Sequence, residues 1–488
     1  MAKTVKMTEG NIVGQLLAYA LPLIAGNVFQ LTYNVADSVI VGRFIGTDTL
    51  AAVGTAEPVM NLFILGISGV SMGASVIMSR YFGAGREDLL RREMATVSVF
   101  GLYFSVLLAL AGAVGAKALL RLLQVPEEIL ELSAGYLRLI FIGMPFTYFY
   151  NAWSSALKSV GDSRTPLYFL VISTLLNAGL DLVLIGGLHF GIVCSALTTV
   201  LAQAVSAVGC GVYVKRKVPL LHVPLRGLHA DRALLGETLR YGGVTALQQA
   251  CQPIGNLLIQ GAVNQMGVSV MAAFNAVTKI DDYALVPERN IPNAMTTFIA
   301  QNAGAGKKKR IRKGFAAGLW MEAAYGVMAC AAVLLIRRPV MELFVGKAET
   351  AVIAEGAGYL GLMAFFYILP GLTNGIQGFY RGMGRMKMTL AGTALQTSFR
   401  VLFVYLLSGH LGIRSFAVSC AIGWCAMLLM EGIHYQLVMK KGLKGNPFGE
   451  IPQGKGRESA GRRRGNGRLA RSRKTCKRRS GQGKIKVK

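Results

Sequence analysis

The chain has 488 residues, 53% of them hydrophobic and only 16% charged, with a mean hydropathy of +0.47; this excludes an ordinary water-soluble domain. The formal charge of +28 is unevenly spread, because from Lys440 onward 18 Lys/Arg face only Glu450 and Glu458. Long apolar runs without a two-residue period exclude an outer-membrane barrel, and with no catalytic constellation or large polar domain the chain does not read as an enzyme or a receptor.

In chain order, twelve segments are long and apolar enough to cross ~30 Å of hydrocarbon, which takes about 20 residues. They fall at 13–42, 51–79, 95–119, 133–157, 165–188, 190–213, 238–264, 269–303, 314–336, 356–380, 389–409 and 413–438. The expected fold is an all-α polytopic membrane protein of twelve transmembrane helices. Spans 5 and 6 are separated only by a short turn near His189, and span 8 carries charge. The N-terminus has no short basic region leading into an apolar run and a small-residue cleavage site, so no cleavable signal peptide is expected.

Basic residues alternate between loops. One set carries Arg80, Arg86, Arg91 and Arg92, then Lys158 and Arg164, Lys215 to Lys217, Lys307 to Arg310, and Arg381, Arg385 and Lys387. The opposite set is short, or mixes Lys117 and Arg121 with Glu127, Glu128 and Glu131. This places both termini in the cytoplasm of a protein in the cell (inner) membrane, as an even span count requires. The organisation expected is a first lobe at 1–214, a cytoplasmic linker at 215–240, a second lobe at 241–439, and a disordered basic tail at 440–488. The tail is expected to contact anionic lipid; nucleic-acid binding is the weaker reading. Six of the seven cysteines fall inside apolar spans and none forms a CxxC pair, so core packing is expected rather than a disulfide framework or a metal site.

Shifted by 221 residues, the second half lies on the first. Gly83-Ala84-Gly85 meets Gly304-Ala305-Gly306, Arg91-Arg92 meets Arg312-Lys313, and Gly191-Ile192 meets Gly412-Ile413. Six spans per half is an even number, so both lobes enter the membrane in the same direction and are related by a pseudo-two-fold axis along its normal. A cavity between such lobes can open to either side in turn.

The duplication is also a control. Asp37 pairs with Leu258, Asp181 with Leu402, Asn177 with Ser398, and Thr199 with Cys420. An ionisable group deep in a span costs at least ~2.5 kcal/mol on insertion scales, so an acid that its repeat mate lacks points to added chemistry. Asn177 and Asp181 are four apart and share a helical face. Oxygen ligands of this kind suit a proton or a hard monovalent cation. Two readings stay open, ion coupling and buried acids that serve packing.

In span 8, Lys279, Asp281, Asp282, Glu288 and Arg289 stand where the first half has Pro58, Met60, Asn61, Ile67 and Ser68. Local pairing such as Lys279 with Asp282 is one reading. A cationic-substrate or second ion site is the other, with Gln252 on span 7 and Asn374 on span 10 as further candidates. Aromatic residues cluster on spans 4 and 10; Phe149, Tyr150 and Tyr367 are candidates to line a cavity for flat organic cations, against packing as the default. Gly304-Ala305-Gly306-Lys307 lacks the spacing and the Ser/Thr of a P-loop.

Several segments together resemble the multidrug and toxic-compound extrusion (MATE) transporters. They are Pro22 leading into Asp37-Ser38-Val39-Ile40-Val41-Gly42, Leu50 to Gly54, the two Gly-Ala-Gly loops, Ala156 to Asp162, and Asn177 to Asp181 followed by Gly191-Ile192. The resemblance covers roughly residues 10–440. It implies secondary-active export of cationic or amphipathic small molecules from the membrane, with no cofactor beyond a coupling Na⁺ or H⁺. It further implies ion coupling through Asp37, Asn177, Asp181 and Thr199, with Pro22 as a hinge in span 1. Some members use acids on spans 7 and 10, where this chain has Gln248, Gln249, Gln252 and Asn374, which favours coupling in the first lobe. A lipid-linked-oligosaccharide flippase of the same superfamily is the alternative, though such flippases usually show fourteen spans.

Overall fold

The computed structural model describes residues 4–44, 47–188, 190–224, 227–346 and 349–439; inside helices it does not describe the side chains of residues 36–44, 47–51, 192, 438 and 439. The basic tail therefore lies outside the described residues. Fourteen α-helices fill twelve span positions, and no strand occurs among the described residues. In the first lobe these are α1 (Ile12–Phe44), α2 (Thr47–Gly83), α3 (Glu87–Leu122), α4 (Glu127–Ser159), α5 (Arg164–Asp181) continued by a π-helical turn (Leu182–Gly187), and α6 (Ile192–Lys217). The second lobe has α7 (Arg232–Asn264), α8 (Val268–Ala284) with α9 (Val286–Gly304), α10 (Lys308–Val345), α11 (Thr350–Phe366) with α12 (Ile368–Gly382), α13 (Met386–Leu411) and α14 (Arg414–His434).

Two spans are broken, each for a local reason. Pro287 follows the α8–α9 junction at Leu285, and Pro370 follows the α11–α12 junction at Tyr367, where the axis bends by 43°. Proline removes one backbone donor and crowds the preceding turn, so the helix ends just before it. Nine helices are long and apolar enough to span on their own among the described residues, and the bent α11–α12 pair makes a tenth. Neither α7 nor the α8–α9 pair passes that test; α7 carries Gln248, Gln249, Gln252 and Gln260 in its apolar stretch, and the pair carries Lys279, Asp281, Asp282, Glu288 and Arg289. The linker is shorter than the sequence suggests. Helix α7 begins at Arg232, where the Asp231 carboxylate accepts from Ala233 N at 2.9 Å and Leu234 N at 3.4 Å as an N-cap.

The 221-residue shift carries the bounds of α2 onto the start of α8 and the end of α9. Gly85 and Gly306, repeat mates, both adopt φ of +69° in the turn that follows. Such a conformation is open to glycine and strained for other residues.

The outer surfaces are apolar, with Leu107, Leu110 and Val114 on α3 and Trp320 and Leu335 on α10 all more than 60% exposed. Side chains of this kind suit contact with lipid. Inside the second lobe, Phe274 stacks on Tyr359 at 6.1 Å and meets Phe416 at 4.8 Å. In the first lobe the Tyr148 ring fills the space above Gly101, where a Cβ would come within 1.6 Å of it.

The lobes meet most closely toward the end that carries the N-terminus. The last turns of α2 face the first turns of α7, so that Gly73 abuts Gly242 and Gly69 abuts Ala246. Residues 5–10 then clasp both lobes. Val5 N donates to Val160 O (3.1 Å) in the first lobe, while Met7 N donates to Gln301 Oε1 (2.9 Å) in the second. Arg310 donates to Met7 O, Glu9 O, Gly10 O and Gln15 Oε1 at 2.8–3.1 Å. We expect Arg310→Ala to weaken this clasp by about 1.5–3 kcal/mol, the range for a bond to a charged donor, and to speed proteolysis within residues 4–10.

Candidate functional site

The first-lobe cluster forms at the end of α5. Asn177 and Asp181, one turn apart, are 6% and 1% exposed. Asn177 Nδ2 donates to Asp181 Oδ2 at 3.0 Å, and Thr198 Oγ1 on α6 donates to Asp181 Oδ1 at 2.5 Å. The Tyr33 hydroxyl on α1 donates to Asn177 Oδ1, tying α1 to the pair. A π-helical turn starts immediately after Asp181; such turns are frequent at functional sites.

The threonine differs from the expected one. Thr199 Oγ1 bonds back to Ser195 O at 3.0 Å, and Thr198 meets the carboxylate. Neighbouring residues on a helix are about 100° apart, so only one of the two can point at α5. Thr198→Val should therefore leave Asp181 Oδ1 without that donor and lower stability by about 1–3 kcal/mol, and Thr199→Val should cost less, since it removes only a bond within α6. Thermal melting of each variant checks this.

Asp37 lies on α1, but its side chain is outside the described residues. Pro22 sits within a continuous α1, and four residues on Gly26 packs against α5, with Leu167 Cδ1 3.0 Å from where its Cβ would be.

The span 8 residues do not form one site with Gln252 and Asn374. Asp281 accepts from the Tyr367 hydroxyl, while Asp282 pairs with Arg289 at 3.5 Å, not with Lys279. Gln252 Nε2 instead donates to Gln396 Oε1 on α13 at 3.1 Å. Asn374 is half-buried on α12 and makes no hydrogen bond to these acids among the described residues. Just before the break at Leu285, Asp281 faces Tyr367 within its own lobe, whereas the amides of α7 face α13.

The aromatic candidates are also placed differently. Tyr367 is fully buried at the α11–α12 break. Phe149 packs on Trp153 at 5.3 Å, and the Tyr150 hydroxyl donates to Pro166 O at 3.1 Å. A cavity of about 230 Å³ between α1, α2, α4 and α9 is lined mainly by polar side chains, among them Asn27, Ser71, Asn151, Lys158, Asn290 and Asn293. The polar stripes of these helices face across the lobe boundary, and the rings of α4 pack within the first lobe.

Three buried acids escaped the sequence reading. Glu93 accepts from Thr238 across the lobes, Glu431 accepts from Gln377 Nε2 at 3.4 Å, and Glu322 is fully buried on α10. A charge inside an apolar span was the available signal for Glu322 and Glu431. Their mates under the 221-residue shift are Gly101 and Cys210.

The family model named MatE matches this chain twice, over residues 22–183 and 245–406, once in each lobe. The chain belongs to the MATE family. Both matches have the same length and are offset by 223 residues, so the duplication is a property of the family pattern. This MATE protein is 29% identical to the protein named "Probable multidrug resistance protein YoeA" of Bacillus subtilis, over 90% of this chain and 96% of that one. It is 25% identical to an FAD transporter of Shewanella oneidensis, over 67% and 74% of the two chains. In fold it is similar to the outward-facing conformation of a multidrug resistance MATE family transporter of the MOP superfamily. That match has a TM-score of 0.84 at 22% identity, covering 91% of this chain and 99% of the other.

Proposed function

We propose that this MATE protein is a secondary-active multidrug exporter. It expels organic cations and amphipathic drugs in exchange for Na⁺ or H⁺, with both termini in the cytoplasm of the cell membrane. The observation that carries this reading is the buried Asp181, held by Asn177 and Thr198 beside a π-helical turn, in a lobe whose repeat mate has no acid there. Its tie through Tyr33 to α1 offers a mechanical link. Taking up a cation at Asp181, together with Asp37 four residues beyond Tyr33, changes the pull on α1. Pro22, which already lacks one backbone bond, is where that helix yields. The lobes then rock about the contacts of α2 with α7 and α9. The multidrug resistance name of the YoeA relative supports the substrate class.

Efflux of ethidium or norfloxacin from sealed vesicles, with Na⁺ and pH gradients imposed separately, tests the reading. One of the two gradients is expected to drive it, and a response to neither would refute it.

The polar lining of the inter-lobe cavity, with Lys158 within it, favours a second reading in which a polar or anionic cofactor-like molecule is carried. The FAD transporter relative points the same way. Competition of FAD with ethidium for efflux separates the two.

A further inference from the structure

A groove of about 460 Å³ runs between the end of α10 and the start of α11, away from both the Asp181 cluster and the inter-lobe cavity. Its lining includes Arg337, Arg338 and Glu342 of α10 and Thr350, Ala357 and Gly358 of α11. Arg338 Nε pairs with Glu342 Oε1, one turn on, at 3.6 Å. Arg337 makes no hydrogen bond or ion pair among the described residues. Its guanidinium lies against α11, where a Cβ at Gly361 would fall 2.2 Å from Nη1. Glu349 and Glu355, on either side of the start of α11, are exposed and pair with neither arginine among the described residues. Two arginines against one glutamate leave the groove one cation in excess.

Helix α10 sets the depth of this groove. Arg310 clasps the N-terminal segment at one end of the helix, and Arg337 lies about 40 Å further along it at 1.5 Å per residue. A bilayer with its headgroup layers is ~40–45 Å thick, so the arginines stand at the headgroup layer opposite the clasp. The surface beside them is apolar. On α10, Leu335 and Leu343 are both 82% exposed, and Ile336 and Phe344 are about half exposed. A cation left unpaired at the edge of a span is costly, and a guanidinium fork matches the oxygens of a phosphate. A soluble anion could answer the charge but would leave the apolar rim uncovered. An anion that carries acyl chains answers both.

The first lobe neutralises its own cations at the equivalent hairpin of its third and fourth spans. There Lys117 bonds to Glu131, and Arg121 pairs with Glu127 at 3.4 Å; both acids belong to α4. In the second lobe no acid of α11 pairs with the arginines among the described residues. Nothing lies within 4 Å of a Cβ placed on Gly358, so the floor of the groove is open. One hairpin is closed by ion pairs between its helices. The other has the cation and the space, and lacks the partner.

We propose that the α10–α11 groove binds an anionic phospholipid, with the phosphodiester held by Arg337 and Arg338 and the acyl chains lying along the exposed apolar face of α10. The single charge of a phosphatidylglycerol headgroup balances the one cation in excess. Phosphatidylethanolamine brings an ammonium with its phosphate and so has no net charge to offer. The site stands whether or not the protein exports drugs.

The test is native mass spectrometry of the purified full-length protein from mixed micelles holding equal amounts of phosphatidylglycerol and phosphatidylethanolamine. Wild type is expected to retain phosphatidylglycerol selectively, and Arg337→Gln/Arg338→Gln to bind it about tenfold more weakly or worse. Gly358→Leu keeps both arginines but fills the groove, and should lose the lipid as well. Both variants alter exposed side chains or open space, so both should fold. Lys117→Gln/Arg121→Gln removes the same charge from the first lobe and should bind as wild type does. The basic tail is present in every variant, so its own lipid contacts cancel. Equal retention of the two lipids by wild type would overturn the proposal. So would wild-type retention by either groove variant, an equal loss in the first-lobe variant, or displacement of the lipid by glycerol phosphate.

Discussion

Asp181→Asn should abolish gradient-driven efflux while leaving the protein folded. The side chain keeps its size and its Oδ1 can still accept from Thr198 Oγ1; its new Nδ2 faces the Asn177 amide, which must turn its own oxygen toward it to restore the second bond. What it loses is the negative charge that a coupling cation requires. A unit charge attracts a cation about 4 Å away by about 4 kcal/mol at an effective dielectric constant of about 20, so losing it should lower ion affinity by well over tenfold. The measurement is ethidium efflux from proteoliposomes under the effective gradient, with thermal melting as the check on folding. Full efflux in Asp181→Asn would refute first-lobe coupling through this residue. Asp37→Asn is expected to behave alike, and Thr199→Val should act as wild type does.

The second large effect is mechanical. A Cβ at Gly83 would lie 1.9 Å from Gln301 O, and one at Gly304 would lie 1.9 Å from Arg80 O. These glycines are repeat mates, so the closed end is held by two equivalent backbone-to-backbone approaches across the lobes. A backbone atom cannot swing aside as a flexible side chain can. Overpacking typically costs about 1–3 kcal/mol, and more where the obstacle is rigid. Gly83→Val and Gly304→Val should therefore hold the lobes apart at this end and arrest transport, each almost completely. The two sites are neighbours, so the double variant should be less than additive. In a cysteine-free background, thiol labelling of Asn293→Cys in the inter-lobe cavity should rise with either valine. Gly54→Val is the control, because nothing lies within 4 Å of its Cβ position. Labelling unchanged by Gly83→Val would mean that this contact does not seal the cavity.

Much of the architecture was legible before any coordinates. Span positions follow from the length of apolar runs, a requirement set by the thickness of hydrocarbon. The two lobes follow from the repeat. The pairing of Asn177 with Asp181 follows from a four-residue spacing, because a helix fixes which residues share a face. The duplication showed which acids have no counterpart, and Asp181 proved to be buried and bonded.

Other features were decided only by the tertiary structure. Composition cannot say which of two adjacent threonines meets Asp181, since the rotation of α6 against α5 settles it. Nor could it show that Tyr367 is buried against Asp281, that the inter-lobe cavity is polar, or that Gln252 turns toward α13. Those outcomes depend on which face each helix offers its neighbours, and that choice is made by packing among helices distant in sequence. Glu288 and Glu322 show the division most clearly. The chain gives two acids 34 positions apart in apolar spans. Only the fold buries both completely and sets Glu322 against Gly371, with no hydrogen-bond partner for either carboxylate among the described residues.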